Sequence, residues 1–307
     1  MHLKGKIVDI NTIGIEELFV IDSFFIATHS RDSAFITIYQ SDNLKKIGTY
    51  IQAGRGPDEF FNFIYDNQFY YDSCGVNLYF SDMNKREIYT LHLNRLINHL
   101  GNPIKKIATT PGVGLPTFVL GENKYLSKIH DYHGFNVSYI VFDSTGNEVK
   151  DYPLHKNLET SLRMNQIASS DVLNGDHSKV MMGMTLFNQI NLINLETNEY
   201  KVITVSDDPL FISEKEVANR FVCYYSRLCT YNDLVFALYT NMGFREWGKN
   251  SKSHSNIHVF NWEGKPIAEI IVNEDLNYIT TDSSKNKLYG ITTDEIIYVY
   301  DLPQSIK

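Results

Sequence analysis

Apolar and polar positions alternate in short runs along this chain, and one kind of run keeps returning: an alternating apolar strand that passes straight into a polar turn. It appears as Ile36-Thr37-Ile38-Tyr39 before Ser41-Asp42-Asn43, as Ile88-Tyr89-Thr90-Leu91, and as Tyr139-Ile140-Val141-Phe142 before Asp143-Ser144-Thr145-Gly146. It returns as Ile190-Asn191-Leu192-Ile193, as Ile257-His258-Val259-Phe260 before Asn261-Trp262-Glu263-Gly264, and as Ile297-Tyr298-Val299-Tyr300 before Asp301. With Tyr39, Leu91, Phe142, Ile193, Phe260 and Tyr300 taken as equivalent, the intervals are 52, 51, 51, 67 and 40 residues. A period of two buries one face of a strand, whereas a helix needs apolar positions three and four apart. The repeat is therefore made of strands, and there are six copies.

Two further strand-like runs precede each copy, joined by turn residues. In the first repeat Leu18-Phe19-Val20-Ile21 meets Asp22-Ser23 and continues as Phe24-Phe25-Ile26-Ala27; the others turn at Asp72 to Gly75, Gly121 to Asn123, Asn174 to Asp176, Asn232-Asp233 and Asp282 to Lys285. Asn, Asp and Gly tolerate a positive φ or hydrogen-bond their own backbone, which is what a tight hairpin requires. A fourth strand follows in most repeats, such as Lys46 to Ile51. Four antiparallel strands every fifty residues or so form one propeller blade. The pattern predicts an all-β fold: a six-bladed β-propeller of four antiparallel strands per blade, forming a single domain over residues 1–307. The last repeat ends at Asp301-Leu302-Pro303 without its fourth strand, while Leu3 to Ile10 precedes the first blade. The N-terminal strand is expected to complete the last blade and so remove two open sheet edges. One short helix is expected at Ser213 to Ala218, between blades four and five, where Ser213 and Glu216 match a capping box.

Composition agrees with this picture and narrows the functions open to the chain. Of 307 residues 43% are apolar, and the 20 Tyr and 18 Phe suit half-buried pleated surfaces. A net charge of -8 argues against nucleic acid as a partner, because phosphate binding needs a basic face. Of the three cysteines, Cys223 and Cys229 would lie roughly 20 Å apart on a strand, too far for a bridge. No apolar run is long enough for a transmembrane segment or a signal-peptide core, so the chain as written carries no export signal. A signal removed beforehand would leave the same appearance, with a periplasmic or surface location as the alternative.

Between blades one and two stands Gly54-Arg55-Gly56-Pro57-Asp58-Glu59-Phe60. Together with the blade pattern it resembles the TolB-like and NHL-like six-bladed propellers of bacteria, whose blade linkers often read Gly-x-Gly-Pro-Gly-Glu-Phe. Asp58 stands where those linkers have a third glycine, and a degenerate echo, Thr110 to Pro116, joins blades two and three. The resemblance implies the architecture over the whole chain; its members have diverse roles, so it implies no particular activity. Physically, such a linker carries the chain from the rim of one blade back to the axis, with glycine supplying unusual φ values and proline stiffening the crossing. Arg55 and Glu59 are candidate ligand contacts or partners of each other and of nearby backbone.

Alternating strand directions place the loops between second and third strands on the same face as the linkers between blades. That face is expected to collect His29, Arg31, Arg86, His130 and His133 from such loops, with Arg55, Glu59, Arg163 and Arg220 from linkers. A long insertion from Asn241 to Ser255 adds Arg245 and Trp247, expected to fold over the channel mouth. His130 and His133, three apart in a loop with no third ligand in view, form no metal site, and no cofactor is expected. The favoured reading is a non-enzymatic binding or scaffolding propeller for a small polar ligand, a sugar, a peptide or a protein loop. The alternative is a metal-dependent hydrolase or lactonase drawing on Asp66, Asn123, Asp171 and Asp282, a choice the sequence leaves open.

Overall fold

The computed structural model describes residues 1–10, 12–29, 33–56, 58–130, 137–153, 168–205, 222–243 and 254–306. Six successive blades of four antiparallel strands make the chain a six-bladed β-propeller, one of them extended by a fifth, parallel edge strand from the N-terminus. Two compact units divide the blades: Thr12–Asn157 holds the first three, and Met1–Asn11 with Leu158–Lys307 holds the last three.

In the first unit, blade one is β3 (Glu17–Ile21), β4 (Phe24–Thr28), β5 (Ala34–Gln40) and β6 (Lys46–Gln52). Blade two is β7 (Ile64–Asp72), β8 (Gly75–Asp82), β9 (Glu87–His92) and β10 (Ile104–Thr109). Blade three is β11 (Gly114–Gly121), β12 (Lys124–His130), β13 (Val137–Phe142) and β14 (Glu148–Pro153). Middle strands are packed on both faces: every residue of β4 is buried, whereas β6 leaves Lys46, Thr49 and Gln52 exposed. Phe19 stacks on Tyr65 at 4.0 Å, and Phe60 and Phe80 pack on Tyr89 at 5.1 Å, filling the space between blades one and two. Asp22 and Asn123 take φ of 53° and 51° in their hairpins, as the turn chemistry predicts. A bulge in β7 at Tyr65–Phe69 turns out Gln68, whose amide pairs with both the N–H and the carbonyl of Val119 in β11. A side chain thus stands in for a strand neighbour.

The second unit holds blade four, β15 (Ser169–Leu173), β16 (Lys179–Met184), β17 (Gln189–Asn194) and β18 (Tyr200–Thr204). Blade five is β19 (Val222–Tyr231), β20 (Leu234–Gly243), β21 (Ser255–Asn261) and β22 (Pro266–Val272). Blade six is β23 (Leu276–Asp282), β24 (Lys287–Thr292) and β25 (Ile297–Asp301), completed by β2 (Lys6–Val8). All six recurring strands are third strands of their blades, and the N-terminus supplies the missing one. The expected strand from Leu3 to Ile10 is shorter than that: β1 (His2–Leu3) pairs in parallel with β22 of blade five instead. Gly5 separates the two pieces, lying so close to Tyr300 and Tyr298 that a Cβ there would come within 2.8 and 2.9 Å of their rings.

A five-residue helix, α1 (Leu93–Ile97), follows β9 and is capped by His92, whose Nδ1 accepts from Arg95 N at 3.3 Å. It is too short to show a helical period in the sequence. The helix expected at Ser213 to Ala218 lies outside the described residues. Cys74 is exposed, Cys223 and Cys229 are buried in β19, and all three are thiols. Among the described residues no helix is long and apolar enough to cross a membrane.

Candidate functional site

The crossing from β6 to β7 touches a strand only where Phe60 N donates to Gln52 O at the end of β6, so most of its backbone groups must find partners elsewhere. Ala53 N donates to Ser33 O at 2.9 Å, next to the loop between β4 and β5, and Gly54 N donates to Phe60 O at 3.0 Å. Glu59 folds back over the two glycines: its carboxylate accepts from Gly56 N at 2.7 Å, and a Cβ on Gly54 would meet that carboxylate at 2.0 Å. Glycine is needed at 54 for this close approach. From the loop between β8 and β9, the wholly buried Asp82 accepts from Phe61 N at 2.9 Å while holding Asn84 N and Lys85 N. Lys85 Nζ donates to Glu59 O at 2.6 Å and lies over the Phe60 ring, 4.4 Å from its centre. Asn62 accepts from Met83 N.

The linker and the loop between second and third strands are thus locked to one another, on one face as the strand directions required. Two side chains stand out from the locked backbone. Arg55 is exposed, with its guanidinium 6.0 Å from the Phe61 ring centre, and Phe61 is itself 44% exposed. Arg86, in the loop between β8 and β9, is exposed as well, in a left-handed conformation of φ 54°, and its carbonyl accepts from Thr110 N in the next linker.

His29 is placed differently from a surface ligand contact. It is buried, with Nδ1 3.1 Å from Gly14 O and Nε2 3.0 Å from Thr37 Oγ1, so both ring nitrogens hold blade one together. Glu59 is likewise engaged by the linker. Arg31, His133, Arg163, Arg220, Arg245 and Trp247, with the side chain of His130, lie outside the described residues. Lys85 and Asp82, in the loop after the second strand of blade two, were expected on this face; Phe61 joins the site without having been singled out, and the aromatic run Phe60-Phe61 directly after the linker was the available signal.

Carboxylates and amides that could hold a metal are mostly engaged locally. Asn123 accepts from Ser144 N, Asp171 from Ser169 Oγ, and Asp282 from Ser284 and Lys285 N–H groups. The side chain of Asp66 is outside the described residues. Asp72, Cys74 and His92 do converge, with ligand atoms within 4.8 Å of one another. Hydrogen bonds from Cys74 N and Asn77 hold the Asp72 carboxyl below its usual range. The imidazole argues against a metal there. Because His92 Nδ1 accepts from Arg95 N, the neutral ring carries its hydrogen on Nε2, the atom that would have to offer a lone pair to the ion. That N–H is buried without a hydrogen-bond partner, 3.7 Å from Asp72 Oδ1.

No protein-family model and no curated protein matches this chain in sequence. Solved structures match it in fold. A member of the DUF4221 family from Bacteroides vulgatus aligns with a TM-score of 0.57 at 10% identity, over 97% of this chain and 95% of that one. A streptogramin B lyase aligns at 0.53 with 12% identity, over 98% and 97%, and the WD40 repeats of RRP9 at 0.52 with 12% identity, over 97% and 97%. At such identities the likeness establishes the propeller fold alone.

Proposed function

We propose that this chain is a non-enzymatic binding propeller of the TolB-like or NHL-like kind, acting as one domain, with its recognition surface on the linker face. Its ligand would be a small polar molecule, a sugar, a peptide or a protein loop. One observation carries this: Arg55 and Phe61 project from a linker whose backbone is pinned by Glu59, Asp82 and Lys85. A contact surface already held in place loses little entropy on binding, and arginine and aromatic side chains are those that contribute most at recognition surfaces. His29 would serve by stiffening the blade below; Arg31, Arg86, His130, His133, Arg163, Arg220, Arg245 and Trp247 would extend the same surface.

Glycan and peptide arrays probed with the wild type and with an Arg55→Ala/Phe61→Ala double variant test the reading. The expected result is a retained class of ligand whose binding drops at least about ten-fold in the variant, equivalent to roughly 1.4 kcal/mol. Both side chains are at the surface, so the unfolding midpoint should barely move. Turnover of a captured compound, or binding indifferent to both substitutions, would overturn it.

A further inference from the structure

Within the unit that carries blades four to six, β18 of blade four and β21 and β22 of blade five border an open cleft of 470 Å3. That volume is in the range of small-molecule sites. Its walls are apolar, made by Ile203, Val205, Phe260 and Ile267, and its polar groups include His258 and Glu269. These two face each other across the β21–β22 pair, one opposite the other in register.

The hydrogen-bond roles of the pair follow from what lies beneath it. Tyr225 is fully buried, and its hydroxyl is 3.1 Å from His258 Nδ1. Burial pushes the Tyr225 hydroxyl up, so it keeps its proton. A buried hydroxyl donates to the acceptor it touches, which makes Nδ1 the acceptor and leaves the ring hydrogen on Nε2. Tyr239 stacks under the imidazole at 4.4 Å and fixes its plane. Nε2 then points toward Glu269 Oε1 across 3.9 Å, beyond the reach of a direct hydrogen bond. Burial lowers the pKa of His258, opposed by Glu269, so that the ring is neutral at neutral pH. A donor and a charged acceptor thus face the cleft without closing on each other.

We propose that this cleft is a second binding site, for a small molecule with an apolar body and a hydroxyl group that bridges His258 Nε2 and Glu269. A hydroxyl accepts from Nε2–H and donates to the carboxylate at once. An ammonium has no lone pair for Nε2–H, and an anion would meet the Glu269 charge. The site is on a different unit from the Arg55–Phe61 surface and does not depend on it.

The test uses two fluorinated probes, 4-(trifluoromethyl)phenol and its methyl counterpart 4-(trifluoromethyl)toluene, titrated against the full chain by 19F NMR. The phenol should bind about ten-fold more tightly than the toluene, the value of one hydrogen-bonded group to a charge. In Glu269→Leu, which alters a half-exposed side chain and should fold normally, the phenol should lose most of its advantage and keep only what the bond from His258 Nε2–H supplies. Ile267→Trp, filling the mouth, should abolish binding of both, while Arg55→Ala should change neither. Equal binding of the two probes to the wild type, indifference to Ile267→Trp, or no binding at all, the last meaning that water alone bridges the pair, would each overturn the proposal.

Discussion

The Gly54–Asn62 crossing and the His258–Glu269 cleft are built from similar materials, carboxylates and nitrogen donors among aromatic rings, and they use them in opposite ways. In the crossing, Glu59, Asn62, Asp82 and Lys85 spend their polar atoms on backbone N–H and carbonyl groups. In the cleft, Glu269 and Nε2 of His258 stop 3.9 Å short of each other. The difference lies in the backbone underneath. A linker that meets a strand at one bridge only leaves donors and acceptors that side chains must satisfy, whereas β21 and β22 satisfy theirs in the ladder and leave side chains available. In a propeller, a polar cluster on a linker is therefore first to be read as scaffolding, and one on paired strands as available for a ligand.

The largest test of this contrast is Asp82→Ala. It removes a buried charged acceptor from three backbone donors and should cost about 3 kcal/mol of stability, measured by urea unfolding. A loss below about 1 kcal/mol would mean the linker finds other partners. Glu59→Ala comes next, at about 1 kcal/mol, because it frees one half-exposed N–H that water can reach. A null effect there would reopen Glu59 as a ligand contact.

The smallest effect is a pH dependence set in the cleft. His258 meets Tyr225, Tyr239 and Glu269 from the neighbouring strands, and burial places its folded pKa below the ordinary 6.5 despite Glu269. The unfolded chain then takes up the proton first, so His258's contribution is complete above pH 6.5 and declines as pH falls through and below it. Wild-type stability should fall more steeply on acidification from neutral pH than that of His258→Asn, which keeps an acceptor for Tyr225 without titrating. Parallel curves would show that His258 is solvated as in the unfolded chain.

Much of the architecture was legible along the chain. Strands such as Ile36–Tyr39 and Ile297–Tyr300 carry their own period, and Asp22, Asn123 and Asn232 carry their own turns, with φ of 53°, 51° and 50°. The missing fourth strand of the last repeat pointed to the N-terminus as its donor. The site was less legible. Arg55 looks the same in sequence whether it is exposed over Phe61 or paired with Glu59, and His29 reads as a loop residue although Thr37 and Gly14 hold it inside. His258 sat in plain view on a recurring strand, alternating with Ile257 and Val259. Its meaning needed Glu269 opposite it and Tyr225 beneath it, eleven and thirty-three residues away in the chain.

By itself, then, the amino-acid sequence determined the strand period, the turns and the six-fold repeat, because each depends on residues within a few positions of one another. Register between strands, the split of the N-terminal segment at Gly5 and the partners of each polar side chain were decided only in the tertiary structure. Those depend on which backbone groups remain unsatisfied once the sheets have paired, and that balance exists only when distant segments are in contact.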